Sequence, residues 1–264
     1  MEGFGRQFDS LRREALMDLR GADLSKVRIE ALEALERVGV STTLVATVKK
    51  GVNDRDIADI VRFALTWRCV RGVTFQPVQD AGRNEGFDAK TNRIVLTEIR
   101  RHVAEAGVFS LADMIPLPCN PDQICIGYGL RSGAEVTPVT SLLPREILVS
   151  AAPNTVAFEA YPELQKRVFD LLSLSTAQGD TSEKLASLLC CLPEVGVPEQ
   201  IAYEHTFRVV ISQFLDRYNF DLGTVKRSCV HFVQPSGQII PFDTFNTFYR
   251  PGAAGNAALA NGRA

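Results

Sequence analysis

The sequence predicts an α/β chain in which parallel strands come first and a smaller, cysteine-bearing α+β domain follows. Three observations carry this. Segments with helical spacing alternate with short β-branched runs through the first hundred residues. After about Ala112 the pattern changes to short strands, prolines and turns. Five of the six cysteines also lie beyond that point. The expected division is residues 1-112, residues 113-250 and a small, polar, aperiodic tail over 251-264 that composition marks as disordered.

Each element has its own signal. Leu11 to Leu19 is rich in helix formers, and Ser25 to Arg37 spaces Val27, Leu32, Leu35 and, just beyond, Val38 as a helix would, with Asp23 or Ser25 as cap and Gly39 as stop. Ser41 to Val48 is a β-branched run of strand length, closed by the loop residues Lys49, Lys50, Gly51 and Asn53. Helical spacing resumes from Asp54 to Leu65 through Ile57, Ile60, Val61 and Ala64. Val70 to Phe75 is a second strand, ended by Pro77. This alternation implies parallel pairing through crossovers. Ala81 to Asn92 reads as a loop at a strand's carboxyl end, where α/β barrels build their sites. Thr97 to Glu105 is a further helix. Ile124 to Leu130 and Glu135 to Val139 flank a turn at Ser132 and Gly133, a hairpin. Tyr161 to Leu174, Ser182 to Leu189 and Glu204 to Tyr218 are expected as helices, and Val225 to Val233 with Gln238 to Phe242 as a second hairpin.

Composition excludes several classes of function. With 29 basic and 31 acidic side chains the net charge is -2, so no global field draws the chain to nucleic acid. No window approaches the roughly 20 unbroken apolar residues of a membrane span, and Met1 to Ser10 has neither a basic nor an apolar signal region. The cytoplasm is therefore the expected compartment. Six cysteines in such a chain point to buried thiols or metal ligands rather than a disulfide framework. Three histidines offer no triad arrangement with Ser or Cys, so hydrolase chemistry has no support.

Three groups of residues carry a resemblance. QFDSLRREALMDLRGADL at Gln7 to Leu24 is the first. TTLVATVKKGVND at Thr42 to Asp54, with RGVTFQPVQDAGR at Arg71 to Arg83, is the second. MIPLPCNPDQICIGYGL at Met114 to Leu130, LLCCLP at Leu188 to Pro193 and Arg217 to Arg250 make the third. From about Phe8 to Arg250 these resemble radical S-adenosylmethionine (SAM) iron-sulfur enzymes, in the branch with pterin-methylating proteins and archaeal tetraether lipid synthases. The resemblance implies the C-terminal part of a TIM-like barrel followed by an auxiliary iron-sulfur domain. It also implies reductive cleavage of S-adenosylmethionine for hydrogen abstraction, with methylation or carbon-carbon bond formation on a small-molecule or lipid substrate.

Carried over residue by residue, the resemblance assigns Thr47, Lys49, Asn53, Gln76 and Pro77 to the cofactor. It assigns Cys119, Cys190, Cys191 and Cys229 to an auxiliary 4Fe-4S cluster. The family's C-x3-C-x2-C triplet does not occur here: Cys190 adjoins Cys191, and five residues separate Cys119 from Cys125. The expectation is a piece of such an enzyme, inactive alone, or a chain whose partner completes the barrel. The competing expectation is a non-catalytic iron-sulfur or zinc-binding interaction subunit. Iron and sulfide analysis separates both from a metal-free scaffold.

Read without the resemblance, the same residues keep plainer alternatives. Lys49, Lys50 and Asn53 could hold a carboxylate or ribose, or form a solvated turn, and Gln76 could meet a cofactor or cap a core. The four cysteines are far apart in sequence and could be buried thiols, although Lys226 and Arg227 before Cys229 would favour a thiolate. Cys69 and Cys125 read as structural, Arg83 as a loop charge, His231 as a strand histidine and Asp243 as a cap.

Overall fold

A computed structural model describes residues 4–81, 84, 86–117, 120–141, 205–228 and 230–250. The sequence expectations over Tyr161 to Leu174, Ser182 to Leu189 and the tail 251–264 lie outside these residues, as do Arg83, Cys119, Cys190, Cys191 and Cys229.

The chain opens with strand β1 (Phe4–Gln7), helices α1 (Arg13–Arg20) and α2 (Ser25–Val38), and strand β2 (Thr42–Val48). A single 3-10 turn (Asp54–Asp56) leads into α3 (Ile57–Leu65), then β3 (Val70–Pro77). The short α4 (Ala89–Asn92) and α5 (Leu96–Ala104) precede three antiparallel strands, β4 (Ile115–Pro116), β5 (Ile124–Ser132) and β6 (Glu135–Pro138). Strand β7 (Thr206–Ser212), α6 (Leu222–Lys226), the small hairpin β8 (His231–Val233) and β9 (Ile239–Pro241), and α7 (Phe242–Thr244) with a π turn (Phe245–Tyr249) complete the described fold. Both long N-terminal helices stop where the chain needs a left-handed residue: Gly21 and Gly39 have φ of 70° and 66°.

One sheet runs in the order β1-β2-β3-β7-β5-β4, with β6 also on β5. β1, β2, β3 and β7 are parallel, whereas β5 is antiparallel to β7 and to both short strands. The fold is thus mixed α/β, and strands on both sides of residue 112 share the sheet. The central strands are buried on both faces and carry near-continuous apolar runs, as parallel strands covered by helices do. Leu44, Ala46, Val48, Val73, Phe75, Val209 and Ile211 pack with Leu32 of α2, Ile60 and Val61 of α3, and Ile99 and Val103 of α5. Gly72 lets β3 and β7 approach closely, because a Cβ there would sit 2.3 Å from the Arg208 carbonyl oxygen. Among the described residues no helix is long and apolar enough to cross a membrane.

Two expectations for the later chain are corrected. Glu204 to Tyr218 is not helical, because its first half is β7, paired with β3 on one side and β5 on the other. Buried on both faces, TFRVVIS has no periodicity that separates strand from helix. Val225 to Val233 is not one strand: Asp221 caps a helical turn by accepting from the Thr224 N–H, and only His231–Val233 pairs with β9.

Candidate functional site

The parallel strands β1, β2, β3 and β7 end on one edge of the sheet, the usual location of ligand sites in α/β proteins. A cleft of about 480 Å³ opens there. Its first wall is Asp18, Leu19 and Arg20 from α1 with Thr47 and Lys49 from the end of β2; Gln76 to Gln79, Ala81 and Asn84, from the end of β3 and the loop beyond it, form its floor. Phe214 and Leu215 after β7, with Phe242, Asp243, Asn246 and Arg250, form the opposite wall.

The first wall is built on Asp9. This residue directly follows the β1 turn, is fully buried and has φ of 62°, an uncommon conformation for any residue but glycine. The turn aims its carboxylate at four partners. Arg20 approaches with Nε at 2.8 Å and Nη2 at 2.7 Å, Arg28 Nη2 lies at 2.7 Å, and Gln7 Nε2 and the Thr47 N–H complete the set at 2.6 Å and 3.0 Å. Burial alone would raise this carboxyl; the bonds from Arg20, Gln7 and Thr47 overcome that and hold it below its ordinary value. Arg28 is itself buried and also donates to the Phe8 carbonyl. Its guanidinium is pushed down by burial and held up by Asp9.

Thr47 and Lys49 are oriented by this network. The Thr47 hydroxyl oxygen accepts from Gln7 at 3.1 Å and Arg20 at 3.0 Å. Lys49 Nζ meets Asp18 at 2.8 Å, and its backbone N–H donates to Asn53 Oδ1. Asn53 does not line the cleft. It is fully buried beneath it, and its Nδ2 bonds the carbonyls of Asp9 and Thr47, tying the turn after β1 to the end of β2. Gln76 and Pro77 reach the floor of the cleft, and the Pro77 carbonyl accepts from Gln79 Nε2. Of the five residues assigned to a cofactor by resemblance, the structure therefore brings four to one cleft and puts the fifth behind them.

The opposite wall is held differently. Buried Asp216 accepts from the Asp80 N–H at 3.1 Å and the Tyr218 N–H at 2.9 Å, and Arg217 pairs with Asp80 at 2.7 Å, so the loops after β3 and β7 are fastened together. Asp243 is no helix cap; its Oδ1 accepts from the Leu215 N–H at 3.0 Å, linking α7 to the loop after β7. Burial raises the Asp243 carboxyl, opposed only in part by that bond and its own N–H. Phe242 stacks near Phe214 and Phe232, with centroids 5.3 Å and 5.6 Å away.

The sequence reading missed Asp9, Arg20, Arg28, Gln79, Asp216 and the roles of Asp243 and Asn246. The usable signal for Asp9 was an aspartate two residues past a strand, followed by arginines on the next two helices. Of the cysteines, Cys119, Cys190, Cys191 and Cys229 lie outside the described residues. Cys69 and Cys125 are buried free thiols pushed to about 12, in each case first by burial. Among the described residues no three His, Cys, Asp or Glu side chains converge as a metal site would require. His231 is exposed on β8.

No family model matches the chain. Over 92% of its length the chain is 24% identical to 7,8-dihydro-6-hydroxymethylpterin dimethyltransferase of Methanocaldococcus jannaschii, and it spans 56% of that protein's length.

Proposed function

We propose that this chain carries the S-adenosylmethionine-facing half of the barrel, and the auxiliary cluster region, of a radical SAM methyltransferase. The observation that supports this best is the convergence of Thr47, Lys49, Gln76 and Pro77 on one cleft at the carboxyl ends of parallel strands. The similarity along 92% of the chain to a protein named as a pterin dimethyltransferase points the same way.

The cleft suits a zwitterionic nucleoside. Its volume falls within the range of small-molecule sites. Arg20 and Lys49 line one wall, each paired with an aspartate, Asp9 and Asp18, and a ligand carboxylate would bind by taking the Lys49 ammonium from the more exposed Asp18; the Thr47 hydroxyl and Gln76 amide offer polar groups for a ribose or base. Asp9 and Asn53 act behind these residues, fixing the backbone that presents Thr47 and Lys49. When bound, S-adenosylmethionine would supply the methyl group and the radical chemistry, while the protein orients it and limits water. Cys119, Cys190, Cys191 and Cys229 are the proposed ligands of a 4Fe-4S cluster. The C-x3-C-x2-C triplet is not among these 264 residues, so this chain by itself binds the cofactor without cleaving it.

Calorimetric titration of the chain with S-adenosylmethionine tests the cleft. Binding that weakens at least about tenfold in Lys49→Met is expected; no binding by the wild-type chain would sink the reading. The cluster is tested separately by iron and sulfide content after anaerobic reconstitution, which should fall to background when the four cysteines are replaced by serine. A reconstituted chain that forms 5'-deoxyadenosine would refute the expected inactivity.

A further inference from the structure

The wall opposite Thr47 and Lys49 has the composition of a second ligand subsite. Asp243 lies in the cleft with its carboxyl raised by burial, and among the described residues no cation forms an ion pair with it. Two amides line the same cleft, Gln79 from the floor and Asn246 from the wall of Asp243. Gln79 and Asn246 are 9% and 6% exposed, and each spends its nitrogen on a backbone carbonyl, Pro77 at 3.2 Å and Phe242 at 3.0 Å. Their oxygens Oε1 and Oδ1 are buried without a hydrogen-bond partner. Leaving a buried acceptor unmade costs about 1–3 kcal/mol, and a ligand donor reached by a small rotation of either amide would recover it. Three acceptors thus line the same cleft as the aromatic rings of Phe214 and Phe242, which are inclined at 47° to each other. Arg250 completes the rim.

A carboxylate, two unmatched amide oxygens and an aromatic wall are complementary to a planar ring that presents adjacent N–H donors. Phosphates and carboxylates are donor-poor and anionic, and would be repelled by Asp243. We propose that Asp243 receives the aminopyrimidinone edge of a fused heteroaromatic substrate, its two carboxylate oxygens facing the ring N–H and the exocyclic amino group, with Phe214 and Phe242 against the ring face. This deepens the reading of the cleft as a methyltransferase site and rests on it, because it gives the wall across from the cofactor residues to the methyl acceptor. Asp243 would meet that acceptor from the wall and Gln79 from the floor, where it continues the strand end that carries Gln76. Pterins and guanine nucleosides share this edge chemistry.

The test uses the whole chain, saturated with S-adenosylmethionine, and measures binding of 6-hydroxymethylpterin and of guanosine by calorimetry or ligand fluorescence. At least one should bind, and Asp243→Asn should weaken it about tenfold or more, as expected for a hydrogen bond to a charged group. Whichever ligand shows the Asp243-dependent loss identifies the source of the shared edge. The matched lumazine, 6-hydroxymethyllumazine, in which oxygen replaces only the exocyclic amino group, tests the same contact without any mutation. It should bind the wild-type chain at least about tenfold more weakly than the pterin, because an acceptor would then face the carboxylate. Equal affinity for pterin and lumazine, an unchanged affinity in a folded Asp243→Asn, or no binding of either ligand overturns the assignment. A wild-type chain that takes up S-adenosylmethionine yet neither ring loses only this inference, whereas one that takes up neither class loses the methyltransferase reading as well.

Discussion

Asp9 and Asp243 are two carboxyls at the same cleft, and their surroundings drive them in opposite directions. Asp9 is wholly buried yet held below its ordinary value, because two guanidiniums, an amide and a backbone N–H all donate to it. Asp243 is less deeply placed yet raised, because burial meets only backbone donors. The difference separates a scaffold from a binding group: a satisfied network makes one conformation rigid, while an undersatisfied carboxyl retains the capacity to bind something else.

The largest expected effect comes from breaking the satisfied side. Asp9→Asn strands Arg28 and half-buried Arg20 without their counter-charge, and urea denaturation should show a loss of about 3–5 kcal/mol. A loss well under that would mean that the arginines find other partners. Asn53→Ala removes the amide bridge between the Asp9 and Thr47 carbonyls and the acceptor of the Lys49 N–H. It should cost about 1–3 kcal/mol, and a near-zero change would detach Asn53 from the scaffold.

The pH dependence sharpens the contrast. The stabilisation from Asp9 is present above the unfolded carboxylate value of about 4 and is lost as pH falls through its depressed folded value. For Asp243 the sign reverses: its contribution is full below the unfolded value and is lost as pH rises through its raised folded value. Folded Asp243→Asn should therefore gain midpoint relative to wild type between pH 4 and neutrality. A difference that does not vary with pH would show that Asp243 is not strained in the folded state. The smallest effect is expected at Lys49→Met. The Lys49 side chain is 20% exposed and that of its Asp18 partner 42%, so stability should change by less than about 1 kcal/mol, even where ligand affinity falls.

The elements most legible in the sequence were those whose pattern had one interpretation. The β-branched run of β2 and the spacing of α2 and α3 announce themselves because each has a single apolar period, and the hairpin of β5 and β6 is marked by Ser132 and Gly133. β7 was hidden because its two buried faces erase that period, and its neighbours in the sheet come from distant sequence. The cleft was half legible. Thr47, Lys49, Gln76 and Pro77 were found through the resemblance, but spacing could not show that Asn53 turns inward. Nor could it bring Asp9 within reach of Arg20 and Arg28, or Asp243 within reach of Leu215, since those contacts exist only after the sheet assembles. The cluster residues Cys119, Cys190, Cys191 and Cys229 rest on sequence and chemistry alone.

The position of β7 has a consequence for how the molecule is made. Its seven residues fill the slot between β3 and β5, although both neighbours precede it in the chain. During synthesis the facing borders of β3 and β5 therefore stay open until residue 212 has left the ribosome, although β3 can already pair with β2 and β5 with β4 and β6. Such borders invite foreign strands, and pairings this remote in sequence form slowly. A nascent chain of this protein consequently depends on late closure, and agents that shield exposed strands should raise its soluble yield more than agents that favour helices.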